Sequence, residues 1–195
     1  MFKMLVPVIA FLSLFHFHPR TETMLDRVHA SVIRMTTELP QGSEVCIGFV
    51  VATKRVLTAN HCVGEHMTAD GIAITNPQQD EFYDLALFTV DTDKPTLTIR
   101  DKPVVRFEQL VGVGYAFGWT RALDTQVTPL LIDYRPYANW APGMFVRGGY
   151  VGGMSGGPVV DRDGQVVGII QRSNDGVGFG VGALIIRSFL LAAIQ

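Results

Sequence analysis

Residues 152–160 read GGMSGGPVV, a serine set among glycines and directly followed by a proline and two valines. Glycine is favoured where the backbone takes unusual angles or lies close to another group. A serine that needs an accessible hydroxyl beside free backbone N–H groups is one such case. An ordinary glycine-rich turn before a strand is the other interpretation, and the rest of the chain has to decide between them.

The remainder of the chain has the pattern of short β-strands separated by turns. Turn signals such as PQGS (40–43) and DTDKP (91–95) recur along it. This spacing predicts an all-β barrel or sandwich. Only RSFLLAAIQ (187–195) is predicted to be helical, with at most one further turn after His61. The predicted strands include ASVIRMTT (30–37), EVCIGFVVAT (44–53), RVLTAN (55–60), DLALFTV (84–90), VVRFEQLVGVGYAFG (104–118), TPLLIDYRPY (128–137), QVVGIIQR (165–172) and GVGFGVGALII (176–186).

Composition and charge exclude several classes of protein. The 195 residues are 48% hydrophobic and 17% charged, which is typical of a compact globular protein. The net charge of −2, without any basic block, gives no case for nucleic-acid binding. Residues 91–103 are charged and contain prolines, so we expect them to separate two β lobes, at about 28–92 and 104–195, with a cleft between them.

The N-terminus has the pattern of an export signal. MFK is followed by MLVPVIAFLSLF (4–15), in which Ser13 is the single polar residue. This run has the length of a signal-peptide core and is short for a membrane span. We therefore expect an exported protein in which residues 1–23 are a signal or an uncleaved anchor and 24–195 form the folded domain. Membrane contact is expected only through an uncleaved segment, and packing of this segment on the domain is the alternative.

The two cysteines, Cys46 and Cys62, allow three interpretations. Export would permit a disulfide closing one short loop. Two free thiols are the second possibility, and a metal site is the third. His61, Cys62 and His66 lie together in HCVGEH, but no second Cys/His pair has zinc-finger spacing. We expect neither a metal nor another cofactor.

Three motifs carry residues that suit nucleophilic catalysis. VLTANHC (56–62) places His61 at the end of an apolar strand, YDLALF (83–88) places Asp84 at the head of another, and the opening stretch carries Ser155. A serine hydroxyl is a weak nucleophile until a histidine accepts its proton, and a carboxylate orients that histidine. Asp70 and Asp80 compete with Asp84, although neither begins an apolar strand.

The glycines then have a function beside the serine. The N–H groups of Gly153 and Ser155 are predicted to point together at a developing oxyanion, because Gly153 can adopt a backbone angle that other residues avoid.

The same motifs resemble those of the chymotrypsin-like serine proteases. LTANHC is similar to their TAAHC, DLALF to D-[IL]-A-L, and GMSGGPVV to G-x-SGGP-[LV]-V, in the same order along the chain. The resemblance covers about residues 28–195 and extends to compact bacterial HtrA/Deg-like and viral-type protease domains. It implies two six-stranded antiparallel β-barrels with a short C-terminal helix. It also implies a serine endopeptidase that acts on proteins or peptides through an acyl-enzyme, and a disulfide between Cys46 and Cys62.

Two departures from the family pattern carry expectations of their own. Digestive-type members have an aspartate immediately before the serine, where it binds a newly cut N-terminus; here the residue is Met154, so we expect no such activation. HtrA proteins usually continue into PDZ domains, whereas this chain ends 40 residues after Ser155, so we expect no regulation by a PDZ domain.

The resemblance also predicts the pocket for the residue before the scissile bond. A protease that cleaves after Arg or Lys needs a carboxylate in this pocket, since an unpaired cation is costly to desolvate. No acidic residue lies between Asp133 and Asp161. We expect a preference for small to medium uncharged residues, or for acidic ones if Arg172 turns inward. The predicted pocket residues are Gly149, Gln171, Arg172, Ser173, Val177 and Phe179.

The sequence also allows two rival interpretations. GMSGG (153–157) also fits the nucleophile elbow of α/β-hydrolases, but those enzymes place the histidine after the serine, and every histidine here precedes Ser155. A protease fold that has lost catalysis and only binds partners would show a replaced triad member or a filled oxyanion loop. Neither sign is present in the sequence.

Overall fold

The computed structural model describes residues 23–74, 77–116, 123–135, 141–148, 150–174 and 177–194. In these residues two β lobes are joined by an extended linker, and a helix lies near each end. Neither helix is long and apolar enough to cross a membrane.

The N-terminal lobe is a seven-stranded sheet preceded by helix α1 (Met24–Ser31). Strands β1 and β2 form a hairpin in register Val32↔Phe49, and β3 pairs with β7 in register Ala59↔Leu85. The order across the sheet is β5-β4-β1-β2-β3-β7-β6. The strands are β1 (Val32–Leu39), β2 (Gly42–Ala52), β3 (Arg55–Ala59), β4 (Met67–Ala69), β5 (Ile72–Ala73), β6 (Gln78–Asp80) and β7 (Leu85–Thr89).

The C-terminal lobe is a closed barrel of six strands, in the order β10-β13-β12-β11-β8-β9. Helix α2 (Ala183–Ala193) follows the last strand directly and buries Ile186 against the molecule. The barrel strands are β8 (Leu110–Gly114), β9 (Leu123–Tyr134), β10 (Gly143–Gly148), β11 (Pro158–Val160), β12 (Val166–Asn174) and β13 (Val177–Gly182).

The two lobes share an apolar core. Phe49 and Leu85 from the first lobe cluster with Val160, Ile169 and Val181 from the second, and all five are fully buried. The linker is bonded to both lobes: the Leu97 N–H donates to the Val50 carbonyl, and the Val166 N–H donates to the Thr98 carbonyl, both at 2.8 Å. The strand ends that carry the predicted site residues are therefore held in a fixed relation.

The predicted architecture is confirmed, with two antiparallel β lobes and a C-terminal helix, although the N-terminal lobe differs in strand number. In the described residues it is an open sheet of seven strands rather than a closed barrel of six, and three of these strands have only two or three residues each.

Helix α1 was not predicted from the sequence. It begins with a capping box in which the Asp26 N–H donates to Thr23 Oγ1 and the Thr23 N–H donates to Asp26 Oδ2. The spacing T-x-x-D is the local signal for such a start. The eight residues of the helix are too few to show a clear helical period in the sequence.

Several predicted strand boundaries were also wrong, and strand β10 was not predicted. Residues 104–109 form a turn, in which the Val105 N–H donates to Glu108, rather than the start of β8. Residues 183–186 begin α2, since a short apolar run does not distinguish strand from helix. Strand β10 was missed because its glycines and its flanking APG suggest a loop.

Candidate active site

His61 and Asp84 are brought together at the paired ends of β3 and β7. His61 lies in a 3₁₀ turn (Asn60–Cys62) directly after β3, and Asp84 immediately precedes β7. The Asp84 carboxylate contacts His61 twice: Oδ2 lies 2.7 Å from the imidazole Nδ1, and Oδ1 accepts the backbone N–H of His61 at 2.7 Å. One carboxylate thus fixes both the ring and the backbone of His61.

The competing aspartates bond to other groups. Asp80 Oδ1 accepts the Tyr83 N–H at 2.9 Å and so caps the turn that precedes Asp84. Asp70 accepts the Arg34 N–H and faces Lys94. Asp84 itself has φ +53°, a left-handed conformation that is uncommon for a residue with a side chain. The turn therefore has an unusual backbone that directs the carboxylate at His61.

Ser155 lies at the contact between the two lobes. Its carbonyl accepts the Ile47 N–H from β2 at 2.8 Å, and its hydroxyl donates to the Gln171 carbonyl at 3.2 Å. The serine is partly exposed. The loop of the C-terminal lobe that carries Ser155 is therefore bonded to the lobe that carries His61.

Gly156 is required by this close contact. It has φ +81°, and a Cβ at this position would lie 2.1 Å from the Ile47 carbonyl oxygen and 2.3 Å from Thr58 Oγ1. No side chain fits in that space. The glycine after the serine allows the serine loop to lie directly against β2 and β3.

Gly153 gives the loop before the serine its unusual turn. It has φ +87°, and the Met154 N–H folds back to donate to the Val151 carbonyl at 3.1 Å. Within the described residues, the N–H groups of Gly153 and Ser155 have no hydrogen-bond acceptor. These two donors are available to a ligand beside the Ser155 hydroxyl.

A polar cavity of about 220 Å³ lies next to Asp84 and contains three of the predicted pocket residues. Of the other three, Ser173 is exposed, Val177 is half-buried, and Gly149 lies outside the described residues. A larger cavity, of about 580 Å³, lies between the linker and α2 and contains no predicted site residue. The smaller cavity is lined by Glu81, Phe82, Tyr83, Asp84, Ala141, Gln171, Arg172 and Phe179.

Tyr150 was not identified from the sequence. Its side chain is buried, and its ring occupies the space beside Gly112 of β8 and Gly178 of β13, where added Cβ atoms would lie 2.8 and 2.1 Å from ring carbons. Gly178 is the register partner of Ser173. Burial raises the pKa of the Tyr150 phenol, so the ring is neutral at physiological pH. In the sequence, the signal for this residue is a tyrosine within a glycine-rich stretch.

The two cysteines form a disulfide that connects β2 to the 3₁₀ turn of His61. One ring nitrogen of His61 and the two sulfurs lie within 4.8 Å of one another. A cysteine binds a metal as a thiolate, and neither sulfur is a thiolate here because the two are bonded to each other. This group therefore acts as a covalent tie beside the imidazole.

The comparisons with known proteins give the family. Residues 46–169, more than half of the chain, match the trypsin-like peptidase domain. The chain belongs to the trypsin-like peptidase family. It is accordingly a serine endopeptidase. A search of curated proteins by sequence found no significant match.

Three solved protease structures have the same fold as this trypsin-like peptidase. The active form of the Rv3671c protease from M. tuberculosis superposes with a TM-score of 0.74 at 23% identity, over 87% of this chain and 83% of that one. The HtrA-type protease AlgW with a tripeptide superposes with a TM-score of 0.72 at 21% identity, over 88% of this chain and 64% of that one. The serine endoprotease from Yersinia pestis superposes with a TM-score of 0.70 at 18% identity, over 88% of this chain and 65% of that one. The chain thus spans less than two thirds of the last two.

Proposed function

We propose that this peptidase cleaves peptide bonds with Ser155 as nucleophile, His61 as general acid and base, and Asp84 as the carboxylate that orients His61. The observation that carries the proposal is the double contact of Asp84 with His61, at 2.7 Å to the ring and 2.7 Å to the backbone. A carboxylate accepts hydrogen bonds, so the ring proton belongs on Nδ1, and Nε2 is left free to accept the serine proton.

The reaction proceeds through an acyl-enzyme. Ser155 Oγ attacks the substrate carbonyl carbon while its proton passes to His61 Nε2, for which the hydroxyl must turn away from the Gln171 carbonyl. The imidazolium, stabilised by Asp84, then gives that proton to the leaving amine as the C–N bond breaks. Water hydrolyses the resulting ester by the same steps, with His61 again accepting and returning a proton.

The oxyanion of each tetrahedral intermediate is assigned to the N–H groups of Gly153 and Ser155. Both donors lack an acceptor within the described residues, and the positive φ of Gly153 shapes the turn between them. Donors that are fixed before the reaction require no reorganisation when charge develops, and the loss of one typically costs on the order of a hundredfold or more in rate.

For the residue before the scissile bond we propose a preference for small to medium uncharged side chains. The buried, neutral Tyr150 directly follows Gly149 in the chain, and its ring lies against Gly178, which stands between the predicted pocket residues Val177 and Phe179. A phenol does not neutralise a lysine or an arginine, whose desolvation would remain uncompensated. A peptide-library profile dominated by cleavage after Arg or Lys would contradict this preference, and one dominated by Glu would make Arg172 the specificity residue.

We also propose that the protein is exported. The Cys46–Cys62 disulfide suits an oxidising compartment, and the apolar run at residues 4–15 precedes the folded domain. Mass spectrometry of the protein secreted or retained in its native cell would give the N-terminus and the redox state together. A cytosolic protein with two reduced thiols would contradict the proposal.

A fluorophosphonate probe and a peptide library test the catalytic assignment together. The wild-type protein is expected to react at Ser155 and to hydrolyse peptides, whereas Ser155→Ala and His61→Ala lose several orders of magnitude in rate because the triad acts as a unit. Ser43→Ala, an exposed serine in the β1–β2 hairpin, is the matched control and should retain full activity. Hydrolysis by Ser155→Ala at a near wild-type rate would overturn the assignment.

A further inference from the structure

The side chain of Gln171 is buried between the two lobes and makes two hydrogen bonds that take no part in the proton transfers of the triad. Gln171 is 3% exposed and belongs to β12 of the barrel. Its amide nitrogen donates to two consecutive carbonyls of the other lobe, to Tyr83 O at 2.6 Å and to Asp84 O at 3.1 Å. Both hydrogens of the amide nitrogen are directed at the turn that presents the Asp84 carboxylate.

The same turn is connected to the histidine. The Asp84 carbonyl, which accepts from Gln171, also accepts the backbone N–H of Asn60 at 3.0 Å, and Asn60 precedes His61. On the serine side, the backbone carbonyl of Gln171 accepts the Ser155 hydroxyl at 3.2 Å. Gln171 therefore contacts the nucleophile through its main chain and the His61–Asp84 pair through its side chain.

The Asp84 turn needs an external restraint. With φ +53°, Asp84 has a backbone that costs free energy and persists only where surrounding contacts determine it. Asp80 supports the turn from within the same lobe, by accepting the Tyr83 N–H. Among the side-chain hydrogen bonds of the described residues, those from Gln171 are the ones that reach Tyr83 and Asp84 from the serine's lobe.

We propose that Gln171 is a positioning residue for the triad: its side-chain amide fixes the Asp84 turn of the N-terminal lobe relative to the lobe that carries Ser155. The inference rests on the proposed function of His61, Asp84 and Ser155. In this proposal Gln171 aligns the two halves of the site, which lie on different lobes. Substrate selection is not part of this role, since the amide is directed at the protein's own carbonyls.

Gln171→Met tests the proposal with little change in shape. Methionine has a similar length and packs in a buried site, but it donates no hydrogen bond. We expect kcat to fall about tenfold to a hundredfold with KM nearly unchanged, because a small displacement of catalytic groups lowers the rate without removing substrate contacts. Gln126→Met, at an exposed glutamine of β9 in the same barrel, is the matched control and should retain wild-type kcat and KM.

A spectroscopic measurement reports the alignment independently of hydrolysis. The imidazole Nδ1 proton between His61 and Asp84 should give a low-field proton NMR signal, assigned by its loss in His61→Ala. We expect Gln171→Met to broaden or shift this signal, while circular dichroism stays that of the folded protein. Because this signal needs no substrate, it tests the role of Gln171 even if the wild-type protein were to cleave no peptide, an outcome that would count against the proposed function alone.

A second variant covers the case in which Gln171→Met does not fold. Gln171→Asn keeps a polar amide in the buried site but withdraws it by one methylene, so that it no longer reaches both carbonyls; we expect changes in the same direction and of smaller size. A folded Gln171 variant that has wild-type kcat and an unaltered Nδ1 proton signal would overturn the proposal. A rise in KM with unchanged kcat would also overturn it and would assign Gln171 to substrate binding.

Discussion

At the scale of single residues, two neighbouring carboxylates have different hydrogen-bond partners. Asp80 and Asp84 are four residues apart and lie in the same turn, yet one caps a backbone N–H and the other contacts the imidazole. The difference arises from the left-handed conformation of Asp84, which turns its side chain toward His61.

Asp84→Asn should therefore lower kcat on the order of ten-thousandfold with the fold intact, because an amide no longer holds the imidazole in the required tautomer. Asp80→Asn is the matched control, and we expect it to lose less than tenfold, since an asparagine oxygen can still accept the Tyr83 N–H. Steady-state kinetics on one peptide would compare the two. A large loss in Asp80→Asn together with a small one in Asp84→Asn would assign the triad carboxylate to Asp80.

The glycines of the serine loop are not equivalent. Gly156→Ala is expected to destabilise the protein by about 1–2 kcal/mol from the left-handed backbone alone, and by more from the contact with the Ile47 carbonyl. Gly152→Ala is the control, because a Cβ there meets no atom within 4 Å. Thermal unfolding of both variants measures the difference. Equal melting temperatures would show that the serine loop does not need its close approach to β2.

At the scale of elements, the disulfide ties β2 to the turn that carries His61. In the loop-entropy description, a loop of this size contributes about 3 kcal/mol of stability. Reduction should lower the melting temperature and broaden the NMR signals of His61, whose ring lies beside the bridge. The double variant Cys46→Ala/Cys62→Ala controls for the reductant, which should not affect it. An unchanged melting temperature on reduction would mean that packing alone holds this turn.

At the scale of the whole molecule, we expect activity without a freshly cut N-terminus. Met154 occupies the place where an ion pair would form in zymogen-activated relatives, and it is fully buried. A chain that begins at Thr23 behind an arbitrary tag should hydrolyse peptides, because Thr23 keeps the cap of α1. Activity that appears only after cleavage at one defined bond would contradict this prediction.

Helix α1 provides the control for that experiment. Val28 is fully buried in the core that the lobes share, and Ser31 Oγ donates to the Pro95 carbonyl of the linker. A chain that begins at Val32 lacks these contacts, and its melting temperature should be lower by several degrees. Equal stability of the two chains would show that α1 contributes little to the contact between the lobes.

The sequence by itself determined the β class, the family and the motifs around His61, Asp84 and Ser155, because these depend on local residue patterns. Glycine spacing, strand alternation and the order of three motifs persist whatever the chain packs against. The helix at 24–31 also had a local signal in its T-x-x-D cap, which was overlooked. The start of α2 had no such signal, since an apolar run of that length suits strand and helix alike.

The tertiary structure alone decided how the two halves of the site are joined. The contact of Ser155 with Ile47 spans 108 positions of the chain, and the bonds from Gln171 to Tyr83 and Asp84 span 88 and 87. No local pattern encodes such pairs, because they arise only when two lobes distant in the sequence bury a common core. Gln171 illustrates the difference: its sequence position predicts a pocket wall, whereas its burial and its two acceptors give it a role in alignment.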